Sequence, residues 1–277
     1  MKLTFIGGDK RTIYQVEYLN SKGYETETYG LSNKADGKSL CSVIENSDAL
    51  VLPLPLTKDG KTVFSPMSNQ LIFIEDIIMC RPKIVLGGLI PKQISELFSK
   101  NGIMFYDYYT SEKLTIKNAM LTAEAAIALA ISKTEISLFD SNALVIGYGR
   151  IGKLLSKYLK ALGANVTATS RSEDKLALIT TDGITALKTE EIEQSLDKYD
   201  YIFNTVPAPV MNDVFFSKVK KYVFIADLAT NAGTDFLSAE QLKINAESYP
   251  GLPGKYFPKT AGYFVGEEIY DFLRRTL

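Results

Sequence analysis

The sequence predicts an α/β protein built from two doubly wound parallel-sheet domains, the second of them a Rossmann dinucleotide-binding domain. Short apolar runs alternate with amphipathic stretches along the chain, a pattern typical of parallel strands covered by helices. A glycine-rich turn that begins at Gly147 separates a strand-like run from a helix-like run. Residues 6–32 also align with residues 146–172 at shared isoleucine, glycine, tyrosine and serine positions, so each half contains a similar α/β unit.

Strand and helix signals alternate in the first half of the chain. Strands are predicted at residues 2–6, 24–29, 49–55, 84–86 and 103–108. Helices are predicted at residues 11–22 and 91–100, where apolar side chains recur every three or four positions. Gly23 and Gly102 act as stop signals for these helices, and the paired glycines at 7–8 form the turn after the first strand.

The longest helical stretch, residues 111–133, suggests where the two domains join. It is rich in Ala, Leu and Ile beyond Ala119, and such small residues allow close packing, so we interpret it as the connector. The predicted regions are an N-terminal α/β substrate domain (1–118), a connecting helix (119–137), the Rossmann domain (138–240) and a C-terminal segment (241–277). We expect the final helix, residues 266–277, to pack back on the N-terminal domain. We also expect the carboxyl ends of the two sets of strands to border a cleft that binds ligands.

The composition excludes several classes of function. With 31 Lys and Arg against 32 Asp and Glu the net charge is −1, which argues against a nucleic-acid binder. The absence of histidine excludes Ser-His and Cys-His catalysis and His-ligated zinc, and we predict no metal site. The apolar run 125–131 is too short to span a membrane, so we expect a cytoplasmic protein without membrane contact. Cys41 and Cys80 lack CxxC spacing and are interpreted as two reduced, buried thiols.

A GxGxxG motif with its full strand–turn–helix context predicts a dinucleotide site. Gly147 permits the tight turn, Gly149 lets a pyrophosphate approach the helix amides, and Gly152 allows the helix to pack closely on the strand. The turn after the next strand is expected near the nicotinamide ribose. We predict cofactor contacts from Gly147, Tyr148, Gly149, Arg150, Ile151, Gly152, Ser170, Arg171, Ser172, Thr205, Val206, Pro207 and Asp227.

The end of the following strand bears on the choice of cofactor. NAD sites usually carry an acidic residue about 20 positions after the motif, and here that position is Ser170, followed by Arg171 and Ser172. A missing carboxylate and an added guanidinium favour the 2′-phosphate of NADP, with NAD as the alternative. Two other interpretations stay open: Arg171 stacks on adenine or lies in solvent, and Asp227 caps a loop rather than contacting the ligand.

A series of motifs along nearly the whole chain resembles the dipicolinate synthase A subunit family. The motifs are IGGDKR (6–11), LPLPLTKDGKTV (52–63), YDYYTSEKLTIKNAMLTAEAAI (106–127), VIGYGRIGK (145–153), NTVPAPVMN (204–212), DLATNAGTDF (227–236) and LPGKYFPKTAG (252–262). The resemblance implies oxidation of dihydrodipicolinate, or of a hydrated precursor, to dipicolinate in the mother cell of a sporulating bacterium. It also implies that the partner is a flavoprotein-like B subunit.

A dicarboxylate substrate needs fixed positive charge or amide donors, and these motifs contain such groups. The substrate candidates are Asp9, Lys10, Arg11, Lys255, Lys259 and Thr260, with a backbone-donor turn expected at residues 260–262. No catalytic acid or base is assigned, because hydride loss yields an aromatic ring and reduces the need for a strong base. The alternatives are a 2-hydroxyacid or amino-acid dehydrogenase and a nucleotide-binding subunit without chemistry. The sequence does not determine whether the chain forms a homo-oligomer.

Overall fold

The computed structural model describes residues 1–33, 37–230 and 233–276, which divide into two units. The first unit comprises Met1–Asn118 together with the C-terminal stretch from Phe257, and the second comprises Ala119–Tyr256. Two residues of the DLATNAGTDF motif, at positions 231 and 232, lie outside the described residues, as does position 277 at the end of the predicted final helix.

Strands and helices alternate through both units. The strands are β1 (Lys2–Ile6), β2 (Glu25–Tyr29), β3 (Ala49–Val51), β4 (Ile84–Gly87), β5 (Met104–Asp107), β6 (Asn142–Ile146), β7 (Asn165–Ser170), β8 (Thr185–Lys188), β9 (Tyr201–Asn204), β10 (Phe224–Asp227) and β11 (Ala246–Ser248). The helices are α1 (Lys10–Ser21), α2 (Leu40–Glu45), α3 (Ile74–Met79), α4 (Lys92–Lys100), α5 (Glu112–Lys133), α6 (Arg150–Ala161), α7 (Glu173–Thr181), α8 (Asp213–Lys218), α9 (Phe236–Gln241), α10 (Leu252–Tyr256) and α11 (Pro258–Thr276).

Each unit contains one parallel sheet. The first sheet has the order β2-β1-β3-β4-β5, and the second has the order β11-β10-β9-β6-β7-β8. All pairings between neighbouring strands are parallel. The direction of winding reverses at β1 in the first sheet and at β6 in the second, which are the positions where doubly wound sheets bind ligands. The predicted fold class is therefore confirmed. The second sheet also extends to β11, beyond the residue 240 boundary expected from the sequence.

Close helix packing completes the first unit. A Cβ atom on Gly262 of α11 would lie 2.5 Å from a carbonyl oxygen of α1, and one on Gly266 would lie 3.0 Å from the Tyr18 side chain. These two glycines allow the backbones to approach closely, and Ile269 on the same helix is fully buried. The chain thus returns from the second unit to the first, where α11 packs against α1.

Helix α5 is longer than the apolar run 125–131 that the sequence analysis considered. Its 22 residues include a window with mean hydropathy 1.4, enough by length and composition alone for a membrane span. Half of that window is buried within the protein, and Ala123, Ala125 and Ala126 have no exposed surface. A helix in the core of a protein can also meet these criteria of length and hydropathy.

The prediction of two reduced, buried thiols is wrong in this structure. Cys41 and Cys80 form a disulfide whose Cα atoms lie 5.0 Å apart, although the residues are separated by 39 positions in sequence. Cys41 is exposed and Cys80 is half-buried. The sequence could not show this pairing, because it depends on α2 and α3 packing side by side.

Candidate functional site

The glycine turn after β6 has the geometry that the sequence motif requires. Gly147 has φ +95°, which side-chain-bearing residues rarely adopt, and a Cβ there would lie 2.5 Å from Val206 Cγ1. A Cβ on Gly152 would lie 2.1 Å from the Gly147 carbonyl oxygen, so α6 packs against the turn itself. Both positions therefore need glycine for the fold of this turn, whether or not a ligand is bound.

Gly149 differs from its two neighbours in the motif. It is the N-cap of α6 with φ −85°, a conformation that any residue adopts. A Cβ added there would meet no atom of the described residues within 4 Å. Folding alone thus gives no reason for glycine at this position, whereas a pyrophosphate approaching the amides of the first helical turn would need this open space. This observation fits a dinucleotide.

Two threonine side chains form hydrogen bonds with the backbone of the glycine turn and of the strand before it. The Gly147 amide donates to Thr169 Oγ1 at 3.2 Å, and Thr205 Oγ1 donates to the Ile146 carbonyl at 2.9 Å. Thr169 is fully buried at the carboxyl end of β7, and Thr205 follows β9. The two threonines therefore tie the turn to both strands that flank β6.

Tyr148 anchors the turn on its other side. Its hydroxyl donates to Asp182 Oδ2 at 2.8 Å, at the end of α7. Burial raises the pKa of the Tyr148 hydroxyl, and the hydrogen bond to Asp182 raises it further. Hydrogen bonds from Lys157 and Tyr148 hold the pKa of Asp182 below its usual range, so the acceptor stays ionised at neutral pH. Lys153 adds a third contact, 3.5 Å from Asp182 Oδ2.

A cavity of about 320 Å³ lies at this edge of the second sheet. It is lined by Gly147, Tyr148, Gly149, Thr169, Ser170, Arg171, Ser172, Lys175, Thr189, Thr205, Val206, Ala208 and Val210. Most of the predicted cofactor residues therefore meet around one cavity. Five of them do not line it, namely Arg150, Ile151, Gly152, Pro207 and Asp227. Sequence reasoning did not name Thr169, Lys175, Thr189 or Val210, and it included Ala208 only as part of the turn expected near the nicotinamide ribose. These residues lie outside the glycine motif and have no sequence signal of their own.

Two cations lie at the cavity wall, Arg171 directly after β7 and Lys175 on α7. Arg171 and Lys175 are exposed, and neither has a carboxylate partner among the described residues. The neighbouring acid Glu173 instead pairs with Lys188 at 2.6 Å. Ser170 accepts a hydrogen bond from the Ser172 amide at 3.1 Å, which shapes the turn between β7 and α7. Arg171 and Lys175 thus supply positive charge that a phosphate group would neutralise.

The Asp227 carboxylate accepts several hydrogen bonds within the second unit. Asp227 is fully buried, and its carboxylate accepts from the Ala229 amide, the Gly233 amide and the Thr234 hydroxyl. Asn204 Nδ2 also donates to it at 3.1 Å. All these donors belong to the ends of β9 and β10 and the loop after β10. The alternative prediction, that Asp227 organises a loop, therefore agrees with the structure.

The IGGDKR motif follows β1 at the reversal point of the first sheet. Asp9 is the N-cap of α1 and accepts from the Arg11 amide at 3.0 Å. Its carboxylate also lies 2.8 Å from Arg11 Nη2, and that same nitrogen donates to the Leu54 carbonyl. The structure thus shows Asp9 as helix cap and charge partner of Arg11, and Arg11 itself is buried. Lys10 is exposed.

The C-terminal motif divides between the two units. Lys255 is exposed on α10 in the second unit, whereas Lys259 and Thr260 are exposed in the first turn of α11 in the first unit. The Lys259 ammonium lies 5.7 Å from the ring centre of Tyr263. The Ala261 amide donates to the Phe257 carbonyl at 2.9 Å, so residues 260–262 continue a helix and do not form the predicted donor turn.

Comparison with known proteins matches two parts of the chain to two different domain families. Residues 2–109 match the N-terminal domain of the dipicolinate synthase A subunit, and residues 110–234 match the NAD-binding domain of D-isomer specific 2-hydroxyacid dehydrogenases. The dipicolinate synthase A subunit from Bacillus subtilis is 28% identical over 99% of this chain and 96% of that protein. The predicted resemblance to this family is confirmed. The chain is thus a homologue of the dipicolinate synthase A subunit, with a dehydrogenase-type dinucleotide domain.

Solved structures show the same relation. The crystal structure of the dipicolinate synthase A subunit from Bacillus halodurans has a TM-score of 0.87 and 28% identity, covering 98% of this chain and 97% of that one. The apo structure of Escherichia coli D-lactate dehydrogenase has a TM-score of 0.67 at 15% identity, covering 99% of this chain and 96% of that one, which shows a shared fold alone. The dehydrogenase-type domain supports a nicotinamide cofactor. Within the described ranges there is no cluster of residues able to hold a metal ion.

Proposed function

We propose that this chain is an NADP-dependent dehydrogenase that oxidises dihydrodipicolinate, or a hydrated precursor, to dipicolinate. The observation that carries the proposal is the open space at Gly149 in a cavity that is also lined by Arg171, directly after β7, and by Lys175 on α7. Similarity along nearly the whole chain to the dipicolinate synthase A subunit supports the choice of substrate.

The cofactor would be held by the chain's own groups in three places. The amides of the first turn of α6 bind the pyrophosphate, while Arg171 and Lys175 bind the 2′-phosphate. The loop from Thr205 to Val210 borders the nicotinamide end of the cavity. The bound nicotinamide ring supplies the hydride acceptor.

The substrate carries two carboxylates, which exposed lysines can bind. Lys10 follows the reversal point of the first sheet, and Lys259 lies in the first turn of α11 where helix amides add positive potential. We assign Lys259 as the principal anion contact, with Thr260 beside it in the first turn of α11. Loss of a hydride and a proton makes the ring aromatic, so a chain without histidine needs no strong base for this step.

The proposal includes a partner and a place of action. The names of the relatives make each of them one component of a synthase with more than one kind of chain. We propose that the partner of this chain is a B-type, flavoprotein-like subunit. We further propose that it acts in the cytoplasm of the mother cell during sporulation.

The test measures dipicolinate formation and cofactor affinity in Lys259→Ala. The variant should require more substrate for the same rate, because a charged hydrogen bond contributes about 1.5–3 kcal/mol, while NADP affinity stays unchanged. Lys100→Ala, an exposed lysine at the end of α4, serves as the matched control. Wild-type rates at low substrate in Lys259→Ala would exclude this contact. Tight NADP binding without turnover, even with the B-type partner, would favour a nucleotide-binding subunit without chemistry.

A further inference from the structure

The segment from Leu56 to Phe73, here called the strap, covers the carboxyl ends of β1 and β2. The Gly8 amide, just after β1, donates to the Phe64 carbonyl at 2.9 Å. Ser65 Oγ donates to the Gly30 carbonyl, just after β2, at 2.6 Å. The strap therefore lies at the reversal point of the first sheet, the edge at which doubly wound sheets bind ligands.

Backbone hydrogen bonds within the strap, and from the start of α3 to the strap, hold its conformation. The Val63 amide donates to the Ile72 carbonyl at 2.9 Å, and the Ile74 amide donates to the Lys61 carbonyl at 3.0 Å. Helix α3 begins at Ile74 and is followed directly by Cys80, which is bonded to Cys41 on α2. The disulfide thus joins the helix that ends the strap to the helix that follows β2.

The disulfide is open to attack by a thiol. Cys41 is exposed and Cys80 is half-buried, in contrast to the inert buried cysteines of most cores. Disulfides in cytoplasmic proteins are usually transient and redox-sensing rather than structural. We propose that Cys41–Cys80 is a thiol–disulfide exchange site whose redox state sets how firmly the strap is held over β1 and β2. This inference concerns the first unit alone; it rests on the cytoplasmic location given in the proposed function but not on the cofactor or the substrate.

The reductant would be a cellular dithiol of the thioredoxin class. One thiolate attacks the more exposed sulfur, that of Cys41, which forms a mixed disulfide and releases Cys80 as a thiolate. The second thiol of the reductant then attacks the reductant's other sulfur atom, which is bonded to Cys41 in the mixed disulfide, and releases Cys41 as a thiolate. The protein gains two electrons and two protons, and the dithiol becomes a disulfide.

Reduction would loosen the strap without unfolding the unit. Val63, Ile72, Ile74 and Ile77 are buried in the core of the first unit, and Cys80 packs against the same core. These apolar contacts are non-covalent and do not require the sulfur–sulfur bond. The strap's polar contacts to the rest of the unit include hydrogen bonds to Gly8, Gly30 and Gly88, and to the side chains of Tyr29 and Asn33. Because the apolar core keeps the fold and the disulfide lies directly after α3, which ends the strap, loss of the covalent link acts on local opening more than on the fold as a whole.

The experiment compares the oxidised and the dithiothreitol-reduced full chain by hydrogen exchange and mass spectrometry. We expect native-state reduction to expose two alkylatable thiols and to cause loss of amide protection in residues 57–74. Peptides covering β6 and β7 in the second unit should keep their protection. The variant Cys41→Ser/Cys80→Ser should reproduce the reduced pattern even without reductant.

Three results would overturn the proposal. The first is two free thiols in protein purified without reductant and exposed to oxidised glutathione. The second is a disulfide that dithiothreitol opens only after denaturation. The third is equal protection of the strap in the oxidised protein, the reduced protein and the double serine variant.

Discussion

Replacing Gly149 and Gly152 by alanine, one at a time, distinguishes an effect on cofactor binding from an effect on folding stability. A Cβ on Gly149 points into open space and its backbone suits any residue, so Gly149→Ala should change the thermal midpoint little. The same methyl group would occupy the path by which a pyrophosphate reaches the amides of α6. Loss of one hydrogen bond to a charged group costs about 1.5–3 kcal/mol, so NADPH affinity should fall about 10- to 150-fold.

Gly152→Ala should behave differently, because it damages the turn itself. Its Cβ would lie 2.1 Å from the Gly147 carbonyl and 3.1 Å from Thr205 Oγ1, and neither backbone nor strand can retreat easily. Overpacking of this kind costs about 1–3 kcal/mol, so both stability and affinity should fall. Calorimetric titration with NADPH and thermal denaturation of both variants provide the assay. Wild-type NADPH affinity in Gly149→Ala would refute the proposed position of the pyrophosphate.

Further predictions concern charge and buried hydrogen bonds. Arg171→Ala and Lys175→Ala should each weaken NADPH binding by about 10- to 150-fold and leave NADH binding nearly unchanged, whereas equal losses for both nucleotides in a titration would contradict a 2′-phosphate contact. Asp227→Ala leaves buried donors unpaired and should lower the free energy of unfolding by about 3 kcal/mol or more, measured by urea denaturation of each variant. Asp182 has a depressed pKa, so its contribution to stability is present above the usual aspartate range and is lost as pH falls below it. Asp182→Asn should therefore show a shallower loss of stability in acid than wild type, and parallel curves would argue against this contribution.

Local patterns were sufficient to predict the centre of each unit. The run from Asn142 to Ala161 combines a buried strand, a glycine turn and an amphipathic helix, and all three signals lie within one short stretch of chain. The edge strands of the second sheet were harder to predict, because β8 and β11 are short and carry polar residues in place of an apolar run. Their place in the sheet depends on pairing with β7 and β10 rather than on their own sequence.

Residues of the candidate site were likewise predicted only where a local sequence pattern marks them. Ser170 and Arg171 were predicted because they follow a strand at the usual distance from the glycine motif. Lys175 was missed because an exposed lysine on a helix carries no signal until the cavity wall is known. Asp227 could be a ligand contact or a loop organiser from the sequence, and only its hydrogen-bond partners distinguish the two. The hydrogen-bond partners of a side chain depend on the tertiary structure, so the spacing of residues in the sequence does not reveal them.

The most direct test of the proposed function follows both products of a single reaction. Purified chain, alone and with a B-type partner, is mixed with dihydrodipicolinate and NADP⁺, and the absorbances of NADPH and dipicolinate are recorded together. A hydride transfer from substrate to cofactor predicts that the two products appear at equal rates and in equal amounts, and faster with NADP⁺ than with NAD⁺. Dipicolinate formed without NADPH, or NADPH formed only when a 2-hydroxy acid replaces dihydrodipicolinate, would contradict the account.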